Sequence, residues 1–277
     1  MLSPLLMLLI GQEPARRPSL TGTIEKLPAF ESKALGNSRD VLVYLPPNYA
    51  NEPKRRYPVA YFHDGQNVFD GATSFIPNQE WRADETAEAM INAGLIEPII
   101  IVAVANAGAA RGDEFLPTRF TFRGSTIGGK ADDYGRMLAD EIKPEIDRRF
   151  RTRKDATSTA VIGSSFGGIL SLHLGLSRPK TFGKIGVMSP SVWVDERVMI
   201  KRVAELTTRP KLKVWLDIGS TEGPDAARDT RDLRDALLTK GWRTGRDVLY
   251  FEEPRGEHNE AAWARRLPMV FKYLFGK

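Results

Sequence analysis

Cysteine is absent from the 277 residues, which excludes disulfides, thiolate metal sites and a cysteine nucleophile together. Histidine is nearly as scarce. There are three, His63, His173 and His258, too far apart for any recognisable metal-ligand spacing. No G-x-x-x-x-G-K-[ST] stretch occurs, so a nucleotide-cradling loop is set aside. The apolar run near the start, Leu5 to Ile10, falls far short of the roughly 20 residues that span a bilayer. That run resembles the apolar core of a secretion signal, although no Lys or Arg precedes it and no small-x-small cleavage site follows. Residues 1–19 are therefore read as a leader or an unstructured tail, with an inclination towards export to the periplasm or beyond.

What is present describes one folded domain over residues 20–277, with 42% hydrophobic and 27% charged residues. The charge balance, 40 basic against 35 acidic residues, leaves a net +5. The basic clusters at 54–56 and 148–154 lack the interleaved aromatics of a nucleic-acid groove. They read as solvated surface, and no nucleic-acid partner is expected.

Two early stretches, 21–30 and 38–46, alternate as half-exposed, antiparallel strands do. Runs at 57–65, 97–106, 158–165, 182–190, 212–220 and 246–253 follow, several of them continuously apolar, as strands covered on both faces are. Helical periodicity appears at Arg82–Leu95, at Asp132–Phe150 with Ala139, Ile142 and Ile146 on one face, from Phe166 onward, at Asp225–Lys240 and at Glu260–Phe275. Strand and helix in alternation predict an α/β domain with a mainly parallel sheet, whose ligands gather beyond the carboxyl ends of the strands.

The frame Gly163-Ser164-Ser165-Phe166-Gly167 fits G-x-S-x-G at the junction of a buried strand and a helix. In that context the motif describes a nucleophile elbow centred on Ser165. The plainer alternative is a glycine-rich turn without chemistry. A serine nucleophile needs a histidine base, itself oriented by a carboxylate, and in α/β hydrolases, the folds that carry such elbows, the chain order is Ser, acid, His. The order removes His63. His173 lies eight residues past Ser165 on the same helix, about 12 Å along its axis, and reads as a packing residue. His258, in a loop before the last helix, remains. For the acid, the segment around 217–229 offers Asp217, Glu222, Asp225 and Asp229. Glu222 is preferred because it lies in the loop just beyond the strand. Asp225 is placed to cap the next helix, Asp217 to brace the sheet edge, and both stay open as alternatives. The N–H groups of Phe166 and Gln66 are the expected oxyanion donors.

The segments "YFHDGQNVFD", "GSSFGG", "MSPSVWVD", "LDIGSTEGP" and "GEHNEAAWARRLP" stand in the order seen in the serine-esterase family of α/β hydrolases. That family includes enterochelin-type siderophore esterases, feruloyl and acetyl esterases, and mycolyltransferases. The resemblance covers nearly the whole chain after residue 20. It implies a Ser165–Glu222–His258 triad, oxyanion donors at Gln66 and Phe166, no cofactor, and an ester of a small molecule or a carbohydrate as substrate. Hydrolysis through an acyl-enzyme is the leading expectation. Acyl transfer on the same residues is the alternative, and a non-catalytic binding module a more distant one. Trp193 is a candidate aromatic wall for the substrate, with buried packing as the rival reading. In the long loop 106–129, Arg111, Arg119 and Arg123 are candidates to meet an anionic group, or else surface charges with Glu114 as partner.

Overall fold

The two early alternating stretches pair with each other. β1 (Thr23–Ser32) and β2 (Asn37–Leu45) run antiparallel, with Thr23 opposite Leu45 and Ser32 opposite Asn37. Then follow β3 (Val59–Phe62), α1 (Ala83–Asn92), β4 (Ile100–Val104) and the short α2 (Arg111–Phe115). A small hairpin, β5 (Arg119–Phe122) and β6 (Ser125–Gly128), leads to α3 (Ala131–Arg136) and α4 (Lys143–Arg149). The remaining elements are β7 (Thr159–Ser165), α5 (Phe166–Ser177), β8 (Lys184–Pro190), α6 (Val194–Glu205), β9 (Lys213–Gly219), α7 (Ala226–Thr239), β10 (Val248–Glu253) and α8 (Glu260–Phe275).

The computed structural model describes residues 15–277; the apolar run Leu5–Ile10, and with it the leader reading over residues 1–14, lies outside the described residues. Residues 15–21 lie against the segment that precedes and enters α1. Asn78 Nδ2 donates to the Ala15 carbonyl at 3.0 Å, and the Ser19 and Thr21 N–H groups donate to Asp70 at 3.2 Å and Asp84 at 2.7 Å.

Eight strands form one sheet in the order β1-β2-β4-β3-β7-β8-β9-β10. From β4 to β10 all neighbours are parallel, and only β2 runs against its neighbours. The apolar runs are buried on both faces because each strand sends alternate side chains to opposite layers. In β3, Val59 and Tyr61 face the layer containing α3, α4 and α5, while Ala60 and Phe62 face α1 and α8. Adjacent β3 and β7 connect to opposite sides, β3 to β4 and β7 to β8. Their carboxyl ends therefore border a crevice of the kind that α/β sheets use for ligands. This is the α/β-hydrolase arrangement expected from the sequence.

Three details depart from that expectation. The helix read over Asp132–Phe150 contains a π-helical stretch at Met137–Ile142 between α3 and α4, although Ala139, Ile142 and Ile146 are all buried as read. The loop 106–129 is structured, holding α2 and the β5–β6 hairpin. And α6 has no counterpart in the sequence reading. Its first turn runs through Asp195, Glu196 and Arg197, all with left-handed φ (43°, 49° and 65°), a conformation that local propensity disfavours for three consecutive charged residues.

Candidate active site

β7 delivers Ser165 to the crevice with φ 58° and ψ −123°, a region a non-glycine residue enters only when its surroundings impose it. The strain sits on the serine itself rather than on the flanking glycines. Gly163 serves close approach instead. A Cβ there would lie 2.7 Å from the Gly167 carbonyl oxygen and 2.8 Å from the His63 ring. α5 starts at Phe166, whose N–H, in the first helical position, has no acceptor among the described residues.

On the other side of the crevice, β3 runs into His63 and Asp64 and then a 3₁₀ turn, Gly65–Asn67. The Gln66 N–H is likewise without an acceptor among the described residues. Its side-chain Oε1 accepts from the Asn106 N–H at 3.2 Å, and its carbonyl accepts from Thr73 Oγ1 at 2.7 Å. Asp64 holds the turn, accepting from Asn106 Nδ2 at 2.6 Å and from Arg111 Nε and Nη2 at 2.7 and 2.8 Å. Buried His63 meets the Tyr134 hydroxyl at 3.1 Å, and burial pushes its imidazole down to about 3. It is a neutral packing residue. His173 is one too, buried on α5 between Asp132 and Arg202.

The loops after β9 and β10 are pressed together. A Cβ on Gly219 would lie 2.3 Å from the Gly256 carbonyl oxygen, and that same oxygen accepts from Thr221 N and Oγ1 at 3.1 and 2.7 Å. This contact brings Glu222 Oε2 to 2.7 Å from His258 Nδ1. The Glu222 carboxylate is 1% exposed. Its Oε1 accepts from Ser189 Oγ at 2.6 Å and Gly219 N at 2.7 Å, with buried Arg266 at 3.5 Å.

The other candidate acids lie elsewhere. Asp217, inside β9, accepts from Trp215 Nε1 at 2.6 Å and Ser189 N at 3.1 Å. Burial raises its carboxyl to about 6 against the pull of Arg266. It braces the end of β8. Asp225 occupies the N-cap position of α7 but caps nothing, because its carboxylate pairs with Arg228 at 2.7 Å. Asp229, within α7, also takes Arg228.

Ser165 Oγ lies 3.1 Å from Ser191 Oγ and makes no hydrogen bond to His258 among the described residues. Ser165 and His258 nevertheless line one cleft of about 300 Å³, with Gln66, Arg111 and Phe75. An adjoining hollow of about 270 Å³ lies between His258, Ser191, Trp193 and Pro224. Trp193 is 42% exposed, with ring centroids 5.1 Å from Phe122, 6.1 Å from Phe120 and 6.0 Å from Phe166. It is exposed at this hollow and is not a core residue.

Arg111 reaches the cleft, but not as a surface charge partnered by Glu114. It is engaged by Asp64 and lies over the rings of Phe115 and Phe166 at 4.9 and 5.5 Å. Glu114 is buried with Arg39, at 2.9 and 3.0 Å. Arg119 and Arg123 are exposed and do not line the cleft.

Several residues of the site were not singled out from sequence: Ser189, Ser191, Trp263, Arg266, Asn67 and Glu260. Ser189, with φ 39°, is a hub that accepts from Trp263 Nε1 at 2.9 Å and Arg266 Nη2 at 2.7 Å while donating to Glu222. One signal was available. Arg266 falls in phase with Trp263, Leu267 and Val270 on the buried stripe of α8, and a charge at an apolar phase marks a buried polar network.

Comparison with known proteins places the fold and the family. The family model described as "Putative esterase" matches residues 32–274. The endo-1,4-beta-xylanase/feruloyl esterase of Xylanibacter ruminicola is 28% identical over 92% of this chain and 31% of its own length. The ferri-bacillibactin esterase BesA of Bacillus subtilis is 27% identical over 66% of each chain. The solved structure of the BES protein from Bacillus cereus superposes with a TM-score of 0.74 at 20% identity, covering 95% of this chain and 98% of that one. The chain belongs to this esterase family and is a carboxylic-ester hydrolase of the α/β-hydrolase fold.

Proposed function

We propose that Ser165 is the nucleophile, His258 the general base and Glu222 the acid that orients it. The Ser165 hydroxyl attacks the ester carbonyl while His258 Nε2 takes its proton. The N–H groups of Gln66 and Phe166 stabilise the oxyanion, and His258 then gives the proton to the leaving alcohol. Water attacks the acyl-enzyme with His258 again as base. The observation that carries this reading is the 2.7 Å contact between buried Glu222 and His258 Nδ1. It holds the Nδ1–H tautomer and leaves Nε2 free to face the serine. Attack requires the Ser165 hydroxyl to exchange its contact with Ser191 for one with His258.

For the substrate, we infer an ester with an aromatic or similarly flat acyl or alcohol group. Phe75, 78% exposed at the cleft, and Trp193 in the adjoining hollow offer apolar faces to such a group. Asp64 takes the Nε–H and one Nη2–H of Arg111, which leaves the other Nη2–H and the two Nη1–H donors for a phenolate or carboxylate on the substrate.

The test is steady-state hydrolysis of p-nitrophenyl acetate, methyl ferulate and a catechol-type siderophore ester by wild type and Ser165→Ala. Turnover is expected to fall by about 10³-fold or more in the variant, with the fold intact by circular dichroism. A Ser165→Ala protein with full activity would overturn the assignment.

A further inference from the structure

Asn67 and Glu260 carry no role in the chemistry above, yet Asn67 is tied into the molecule on every side. Its N–H donates to the Asp64 carbonyl at 2.9 Å and its carbonyl accepts from Trp81 N at 2.8 Å. Its side-chain Oδ1 accepts from the Phe75 N–H at 2.8 Å, and its Nδ2 donates to Glu260 Oε1 at 3.0 Å. Asn67 and Glu260 are 6% and 5% exposed, so neither group has bulk water as a ready substitute partner.

Each end of the Asn67–Glu260 bond sits beside a reacting group. Asn67 follows Gln66 directly in the 3₁₀ turn. Glu260 is the first residue of α8, two positions after His258, and Asn259 between them caps the helix by accepting from Ala262 N at 2.9 Å. The bond therefore joins the loop carrying a proposed oxyanion donor to the loop carrying the proposed base, across 193 residues of chain. Through Oδ1 the same side chain also fixes Phe75 at the rim of the cleft. Among the described residues, this is the one hydrogen bond that links these two loops side chain to side chain.

We infer that Asn67 and Glu260 form a latch, a pair of positioning residues that sets the distance between the oxyanion turn and His258. This inference rests on the roles proposed for Gln66 and His258. What the latch needs from residue 260 is an acceptor oxygen, not a charge. Glu260→Gln can keep a carbonyl oxygen at Oε1 while losing the charge, whereas Glu260→Ala and Asn67→Ala break the bond.

The experiment compares Asn67→Ala, Glu260→Ala, Glu260→Gln and the double alanine variant in p-nitrophenyl acetate hydrolysis. The latch predicts that each single alanine variant lowers kcat about tenfold or more with KM changed less than threefold. The double variant falls no further than the worse single one, and Glu260→Gln recovers kcat to within about threefold of wild type. Glu260→Gln as impaired as Glu260→Ala overturns the latch, because charge rather than the bond would then matter. Full activity in Glu260→Ala, or additive losses in the double variant, also overturns it. Backbone hydrogen exchange over residues 64–76 supplies a readout independent of turnover: faster exchange in Glu260→Ala but not in Glu260→Gln supports the latch, and unchanged exchange in both refutes it. Wild type inactive on every ester would instead defeat the proposed chemistry, with exchange still deciding whether the latch exists.

Discussion

At the residue scale, the site depends on a few polar groups whose partners are buried and specific. Glu222 accepts three hydrogen bonds or charge contacts besides that to His258. Glu222→Ala removes the proposed orienting acid and leaves the Ser189 hydroxyl and the Gly219 N–H without their acceptor. The expected loss in kcat is about 10²–10⁴-fold, read in the same ester assay, with some loss of thermal stability. Trp193 predicts a different pattern. Stacking between flat groups adds about 0.5–1.5 kcal/mol, so Trp193→Ala is expected to lower kcat/KM for methyl ferulate roughly two- to tenfold. The acetyl ester, which has no ring to stack, should change by less than half that factor; equal losses on both esters would assign Trp193 a structural role only.

At the scale of elements, the strand ends place the chemistry and the loops between them are held by close contact. The loops after β9 and β10 touch where Gly219 meets Gly256, and the Cβ position of Gly219 is also 2.7 Å from Glu222 Oε1. Gly219→Ala must push these loops apart or displace the carboxylate. Overpacking of this kind costs about 1–3 kcal/mol. The expected result is a kcat loss larger than stability alone explains, measured by comparing turnover with urea unfolding of the same protein. The sequence reading caught the strands that frame this contact but not α6 or the β5–β6 hairpin. The hairpin lies in a polar stretch of loop composition, and its Phe120 and Phe122 find their packing partner in Trp193, more than 70 residues later.

At the scale of the whole molecule, two buried groups shape stability against pH in opposite directions. Burial holds His63 neutral down to about 3, below the ordinary imidazole value. Its contribution is fully present above about pH 6.5 and is lost as pH falls towards 3, because the unfolded chain binds the proton first. Asp84 is 0% exposed, and burial, followed by the neighbouring Glu85 carboxyl, raises its carboxyl to about 8. Asp84 Oδ1 is buried without a hydrogen-bond partner among the described residues, which favours the neutral carboxyl. Here the contribution is fully present below about pH 4 and is lost as pH rises through 8, by at most about 1.4 kcal/mol per pH unit for one proton. Asp84→Asn keeps an acceptor for the Thr21 N–H and cannot ionise. Urea unfolding between pH 6 and 9 is expected to show a flatter decline in this variant than in wild type; parallel curves would exclude Asp84 as the source of the decline.

The sequence by itself determined the fold class and singled out Ser165 and His258 as the candidate nucleophile and base, because each follows from local order: apolar runs bounded by turns, a serine at a strand–helix junction, and three histidines of which two are set aside by chain order or helical rise. Loop position favoured Glu222 over Asp217 and Asp225 but left both open. All three lie within nine residues of one another, and what separates them is the closure of the Gly219–Gly256 contact, which brings one carboxylate, and not the others, to the ring 36 residues away. Tertiary structure alone likewise gave Arg111 to Asp64, Glu114 to Arg39, and Asn67 to Glu260. Hydrogen bonds and ion pairs act over about 3 Å and carry no sequence period, so their partners are decided only once the sheet has set which strand ends are neighbours.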